Sequence, residues 1–313
     1  RLDSTLVFEA LAMACPSVSS FISIHNMCAW MISQNGNQHV KKEFLHPMIR
    51  MDKICSYCLT EPDSGSDSAA LSTKAERTNE GFRVNGTKSF ISGGAFSDIY
   101  LTMVRTGEAG PHGISALLVE KNTKGLCFGS NEEKMGWKSQ PTAQVIFDDC
   151  SISSEQLLGE ENKGFIYAMR GLDGGRLNIA AAALGGAQTA FNIAKNYIKE
   201  RKAFGKRLSD FQGLQFKVAD MEIAINSSRI FLREAAWKLD NEKSDAGVYC
   251  AMAKKYVTDN AFNIANNSLQ LLGGYGYLTD YGIEKIVRDL RVHQILEGTN
   301  EIMQLIIARD SLK

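Results

Sequence analysis

"LQFKVADMEIAINSSRIFLREAAWKL", residues 214–239, carries the pattern on which the fold turns. Leu214, Val218, Met221, Ile225, Ser228, Leu232, Ala235 and Leu239 follow one another at alternating intervals of four and three, with Ser228 the one polar member. That rhythm keeps one face of an α-helix apolar along its length and marks a seam packed against other helices. The preceding segment repeats it with Ala180, Leu184, Ala187, Phe191, Ala194 and Ile198. A third helix is expected over 245–271, stopping at Gly273-Gly274, where glycine can adopt a left-handed cap. A shorter helix and a last one through Ile302, Leu305, Ile306 and Arg309 complete a helix bundle.

Working toward the start of the chain, the period changes. "FRVNGTKSFISG", "IYLTMVRTG", "GISALLVEK" and "AQVIFDDCSI" are short runs of β-branched and aromatic residues between Gly, Asn and Pro turns. They predict a small antiparallel barrel or sandwich over about 54–155, and Asn85-Gly86 reads as a hairpin turn. Residues 1 to about 53 are rich in Ala, Met and Leu and read as helical, with Pro47 interrupting. Helices, then strands, then a bundle leave no alternating βαβ order, and neither GxGxxG nor GxxxxGK[ST] occurs, so a Rossmann or P-loop nucleotide site is not expected.

Composition narrows the function classes. The 313 residues are 44% hydrophobic, enough for large cores, and 35 Lys and Arg balance 35 Asp and Glu, which gives no electrostatic footprint for nucleic acid. No apolar run approaches the ~20 residues of a membrane span. Seven scattered cysteines read as reduced thiols, and Cys55-Ser56-Tyr57-Cys58 lacks the second pair that a zinc site needs, so no metal is expected.

Several stretches ask for a ligand without naming it. "YCLTEPDSGSD", 57–67, offers hydroxyls and backbone N–H groups in a loop after a strand, which also suits an ordinary turn. "GLDGGR", 171–176, places glycines inside a helical run at about 1 kcal/mol each against Ala, which calls for a close approach, a ligand or a kink. "HQILEGTNE", 293–301, sets Glu297 beside Gly298 among apolar Ile295, Leu296, Ile302 and Met303, the company of a carboxylate at a dry pocket wall.

Together and in this order, "YCLTEPDSGSD", "FIS", "GWKSQPTAQVIFDDC", "RGLDGGRLNIAAAALGGAQ", "ERKAFGKRLSDFQGLQF", "QLLGGYGYLTDY" and "VRDLRVHQILEGTNEIM" resemble the acyl-CoA dehydrogenase family across essentially the whole chain. The resemblance implies an α+β multidomain fold: an N-terminal helical domain (1–53) whose first helices precede residue 1, a middle antiparallel β-barrel or sandwich domain (54–158), and a C-terminal four-helix bundle (159–313). It implies FAD as cofactor, a short branched-chain acyl-CoA thioester as substrate, electron-transfer flavoprotein as electron acceptor, a homotetramer, and, in a eukaryote, the mitochondrial matrix. Isobutyryl-CoA, oxidised to methacrylyl-CoA in valine breakdown, is the expected substrate. Butyryl-CoA and 2-methylbutyryl-CoA are the other short-chain readings, and a non-catalytic scaffold is the reading from another class.

Residue by residue, the resemblance makes Glu297 the base that removes the α-proton. It assigns flavin contacts to Tyr57, Cys58, Leu59, Thr60 and Ser66, and to Phe90, Ile91 and Ser92. The dinucleotide portion falls to Arg201, Phe211, Gln212, Gln270, Gly273 and Gly274, partly across a subunit interface, with further flavin contacts at Thr299, Asn300 and Glu301. Substrate contacts fall to Ser66, Asp173, Gly174, Gly175, Arg176 and Arg309, with Arg176 matched to the polar groups of CoA. A minority branch carries its base at the position of Gly175; with glycine there and Glu at 297, the common placement is expected. Asp63 departs from the glycine usual in this loop.

Overall fold

The computed structural model describes residues 1–313, which divide into two compact units. One comprises 21–133 and 140–172 and is built on a sheet; the other comprises 1–20, 134–139 and 173–313 and is mainly helical.

In the first unit, strands β1 (Cys55–Cys58), β2 (Lys74–Arg77), β3 (Gly81–Ser92), β4 (Ile99–Arg105), β5 (Ile114–Glu120), β6 (Leu126–Phe128) and β7 (Thr142–Ser153) form one curled sheet. Its order is β1-β4-β2-β3-β7-β6, with β5 on β4; pairing is antiparallel except that β1 and β2 meet β4 in parallel. The period of two sends Ile99, Leu101 and Met103 of β4 to one core and Tyr100 and Val104 to another. The first core also takes Met27, Cys28, Met31 and Ile32 from helix α2 (Pro16–Asn35), so apolar residues cover both faces of β4. The same parity separates Cys55 from Cys58, whose side chains enter different cores and do not form a pair.

Two local expectations are corrected. Asn85-Gly86 is not a hairpin turn: β3 runs through it for 12 residues, with a bulge between Val84 and Gly86. Gly86 sits at φ +147°, and a Cβ there would lie 2.6 Å from Thr73 Oγ1. Asn85 Oδ1 accepts from Asp149 N–H at 2.8 Å, so the dipeptide serves a bulge instead of a loop. Pro47 does not interrupt the helical run either: a π-helical turn at Lys41–Leu45 precedes it, and it sits in the first turn of a short helix, His46–Ile49, where its missing N–H is tolerated. The breaks fall at Cys15, which is extended (φ −158°) between α1 (Leu2–Ala14) and α2, and at Gly36-Asn37, between α2 and the short helix Gln38–Val40.

The helical unit contains α1, helix Gly164–Glu200 from Asp173 onward, and helices Gln212–Asp240, Ala246–Leu272, Ile283–Arg291 and Asn300–Ser311. With α3 (Gln38–Val40) and α4 (His46–Ile49) counted in chain order, these five are α5 to α9. Ala180, Leu184, Ala187, Phe191, Ala194 and Ile198 are all buried along α5, as are Met221, Ile225, Ser228, Leu232 and Ala235 along α6. The polar member of the second stripe is satisfied, since Ser228 Oγ accepts from Asn260 Nδ2 of α7 at 3.1 Å. Helix α1 ties into the bundle through Glu9, which pairs with Arg229 at 2.9 Å and with Arg233. Helix α7 stops at Leu272, next to the expected glycines, but Gly273 at φ +61° and ψ −137° is not in the left-handed helical cap conformation. No helix is long and apolar enough to cross a membrane.

Candidate active site

After α8, a single 3-10 turn (Val292–Gln294) leads into a tight turn that delivers the chain to α9. Thr299 caps α9, its Oγ1 accepting from Ile302 N–H at 3.3 Å. Within the turn Glu297 has φ +57° and Gly298 φ +86°, two left-handed residues in succession. A non-glycine residue there stands at a cost of about 1–2 kcal/mol, so the surroundings must hold it.

They do. Before the turn, His293 is fully buried: Trp137 Nε1 donates to its Nε2 at 3.3 Å, which leaves Nδ1 to carry the proton toward Ile179 O at 3.1 Å. Burial lowers the imidazole to about 4, so it stays neutral. After the turn, Asn300 donates to Thr258 Oγ1 (3.0 Å) and to Asp259 Oδ1 (2.7 Å) on α7. Gln294 reaches the same Asp259 oxygen at 2.7 Å.

The Glu297 carboxyl is the unusual group. Its Oε2 is shut away from solvent and has no hydrogen-bond partner, although the residue's other atoms leave it only half-buried. Burial raises the carboxyl to about 7, against the opposing pull of the Arg176 and Lys254 cations. Its own N–H has no acceptor in the chain. A carboxylate raised toward neutrality beside an unused N–H is suited to taking a proton from a carbon acid and stabilising the oxyanion that results.

The other expected residues fall into groups. Arg176 is 7% exposed; it donates to Asp173 at 2.7 Å and touches Glu297 O at 3.5 Å. Its guanidinium is therefore engaged beside the carboxylate, not extended toward solvent. Gly174 and Gly175 are buried next to it, and Gly174 lies against the guanidinium of Arg1. Thr299, Asn300 and Glu301 surround the turn, whereas Arg309 is exposed farther along α9.

Arg201, Gln270, Gly273 and Gly274 line a cavity of about 590 Å³ with Tyr197 and Tyr275, a size that suits part of a dinucleotide. Gly273 and Gly274 open onto free space, and Arg201 lies over the Tyr275 ring at 5.6 Å. Phe211 and Gln212 stand at the start of α6, outside that lining. In the sheet unit, Phe90 is 69% exposed at φ +58°, on the strand whose Ser89 N–H holds Thr60 O at 2.8 Å. Tyr57, Leu59, Thr60 and Ser92 are half-buried and Ser66 is exposed. Cys58 and Ile91 point into the core and leave only backbone to a ligand. In the helical unit, an orphaned carboxylate oxygen and an open glycine cradle beside a guanidinium are features that parts of a flavin dinucleotide and a thioester would fit.

Two buried lysines were missed from the sequence. Lys88 pairs with Glu61 at 2.8 Å and also donates to Leu59 O at 3.1 Å. Burial would raise Glu61, but the Lys88 charge and the hydrogen bonds from Lys88, Thr73 and Ser72 bring it to about 2. Lys254 of α7 is completely buried and donates to Gly298 O at 2.7 Å. Its place on the Cys250, Val257, Ala261 stripe was the signal available.

Matches to the acyl-CoA dehydrogenase N-terminal, middle and C-terminal domains cover residues 1–52, 56–150 and 162–312. The chain belongs to the acyl-CoA dehydrogenase family. It is 50% identical to the mitochondrial isobutyryl-CoA dehydrogenase of Bos taurus over all of this chain and 75% of the relative. The same enzyme of Dictyostelium discoideum is 52% identical over all of this chain and 76% of the relative. The structure of butyryl-CoA dehydrogenase from Megasphaera elsdenii superposes with a TM-score of 0.96 at 38% identity, covering 99% of this chain and 81% of that one.

Proposed function

We propose that the chain catalyses FAD-dependent α,β-dehydrogenation of a short branched-chain acyl-CoA, isobutyryl-CoA to methacrylyl-CoA, with Glu297 as the base. The observation that carries this reading is the buried, unpartnered Oε2 of Glu297, raised to about 7. The substrate rests on the two isobutyryl-CoA dehydrogenases, each at least 50% identical over the whole chain.

FAD would be held by the loop from Tyr57 to Ser66, by Phe90 to Ser92, by the cavity of Arg201, Gln270, Gly273 and Gly274, by Phe211 and Gln212, and by Thr299 to Glu301. When bound, FAD supplies a two-electron acceptor for the β-hydride. Glu297 Oε2 takes the α-proton, and ionised Glu297 is a stronger base here than in water because burial destabilises its charge. The Glu297 N–H stands ready for the thioester oxygen, where negative charge develops. Arg176 holds the turn by its backbone and keeps the carboxylate from being driven fully neutral. Gly298 leaves no side chain over the reacting atoms.

Phe216, Ile223, Ile230 and Trp237 are exposed at seven-residue intervals along α6, an apolar line that supports assembly of the homotetramer. Electron-transfer flavoprotein is the proposed electron acceptor, and the mitochondrial matrix the proposed location in a eukaryote, in keeping with the mitochondrial relatives.

Anaerobic titration of the flavin-loaded protein with isobutyryl-CoA, butyryl-CoA and 2-methylbutyryl-CoA tests the reading. Preferential bleaching of the flavin band by isobutyryl-CoA is expected. Preference for a straight chain would move the substrate, and a band that no thioester bleaches would favour the scaffold.

A further inference from the structure

Lys254 is a buried ammonium without a carboxylate partner. Its Nζ donates to Gly298 O at 2.7 Å and to Asn300 Oδ1 at 2.8 Å, both uncharged oxygens. Burying a lysine this way carries a desolvation penalty that two neutral acceptors offset only in part. Packing alone would be served by Met or Leu on the same α7 stripe. The acceptors show what the lysine secures: one is the carbonyl directly after Glu297, the other the residue that opens α9. On its own helix, Thr258 Oγ1 bonds Lys254 O at 2.8 Å and receives Asn300, so α7 grips the turn through consecutive contacts.

We infer that Lys254 is a positioning residue for Glu297, fixing the left-handed Glu297–Gly298 turn through the Gly298 carbonyl and the Asn300 side chain. Its charge, with that of Arg176, opposes the effect of burial on the carboxyl. The inference rests on the proposed reaction for its catalytic meaning. The Arg176 and Lys254 cations act on the carboxylate, and Asp259 and Glu301 act on the lysine. Helix α5 contributes Asp173 and Arg176, which pair with each other, and α7 contributes Lys254 and Asp259. Helix α9 contributes Glu301, and His293 before the turn is neutral. Burial lowers Lys254 to about 8 while Glu297 opposes that fall, so the lysine keeps its proton at neutral pH.

The test follows the Glu297 carboxyl by pH-titrated difference infrared spectroscopy of the flavin-loaded protein. The band is assigned by its loss in Glu297→Gln. Lys254→Met removes charge and donors; Lys254→Gln removes the charge and keeps a donor. In both, the titration midpoint is expected to rise by about one pH unit. The pH profile of flavin reduction by isobutyryl-CoA should move with it, with kcat near pH 7 falling about fivefold, recovering at higher pH, and KM little changed. A folded variant of either kind with an unmoved midpoint would reduce Lys254 to packing. So would an equal loss of rate at every pH. Should neither variant fold, the unmutated protein decides: its carboxylate stretch must shift a second time as Lys254 deprotonates, and a single step overturns the inference. Failure of isobutyryl-CoA to bleach the flavin would remove the proposed reaction while the infrared titration still judged the lysine.

Discussion

Replacing Glu297 with Gln should change how stability depends on pH, whatever it does to catalysis. In the folded chain the carboxyl lies at about 7 instead of its ordinary 4.5, because burial disfavours the charged form. Below 4.5 it is protonated both folded and unfolded and makes no difference. Between 4.5 and 7 the folded state keeps a proton that the unfolded state has released, so stability falls as pH rises. Above 7 both states are ionised and the full penalty stands. At about 1.4 kcal/mol per pH unit, the gap between 4.5 and about 7 is on the order of 3 kcal/mol. Glutamine has nearly the same shape and no titration there, so the difference between the two proteins isolates the effect from every other group. Urea unfolding from pH 5 to pH 7.5 measures it. Glu297→Gln should gain on the parent by roughly 2–3 kcal/mol across that range, read from the midpoints and a common slope. Parallel curves would show that the carboxyl titrates normally and would refute the argument from burial.

Lys88→Met should leave Glu61 charged and unpaired in the sheet unit and lower stability by about 3–5 kcal/mol, with a smaller loss when Glu61→Gln is added; thermal melting of the three variants checks this. Gly298→Ala should destabilise by about 1–2 kcal/mol through its positive φ, because the new methyl crowds only the flexible end of Met303 at 2.7 Å and meets Ile302 at an ordinary 3.7 Å; a urea midpoint measures it. Ile223→Lys combined with Ile230→Lys should break the proposed homotetramer into smaller species in light scattering without altering the helical circular dichroism.

The bundle was legible because apolar periodicity reports helix packing directly: the α5 seam is buried throughout and the α6 seam from Met221 to Ala235, whereas Leu214, Val218 and Leu239 at its ends are half-buried. Strand positions were legible for a similar reason, but pairing was not. Asn85-Gly86 has the local chemistry of a hairpin, and only the neighbouring Thr73 and Asp149 make it a bulge. The turn around Glu297 drew notice through its glycine and apolar flanks, whereas its supports did not. Trp137 and His293 stand 156 residues apart in sequence, and nothing local foretells their hydrogen bond. Lys254 and Lys88 drew no notice, because a sequence does not show which buried oxygens lie waiting. Arg176, which the resemblance matches to CoA, also pairs with Asp173 and reaches the Glu297 backbone, contacts that no local pattern foretells.

The central claim is that Glu297 removes the α-proton. Rapid mixing of the flavin-loaded protein with isobutyryl-CoA, compared with the Glu297→Gln variant loaded to the same extent, tests it most directly. Flavin reduction should slow by roughly 10²–10⁴-fold in the variant while the thioester still binds. Reduction at the parent's rate would contradict the account and place the base elsewhere in the chain.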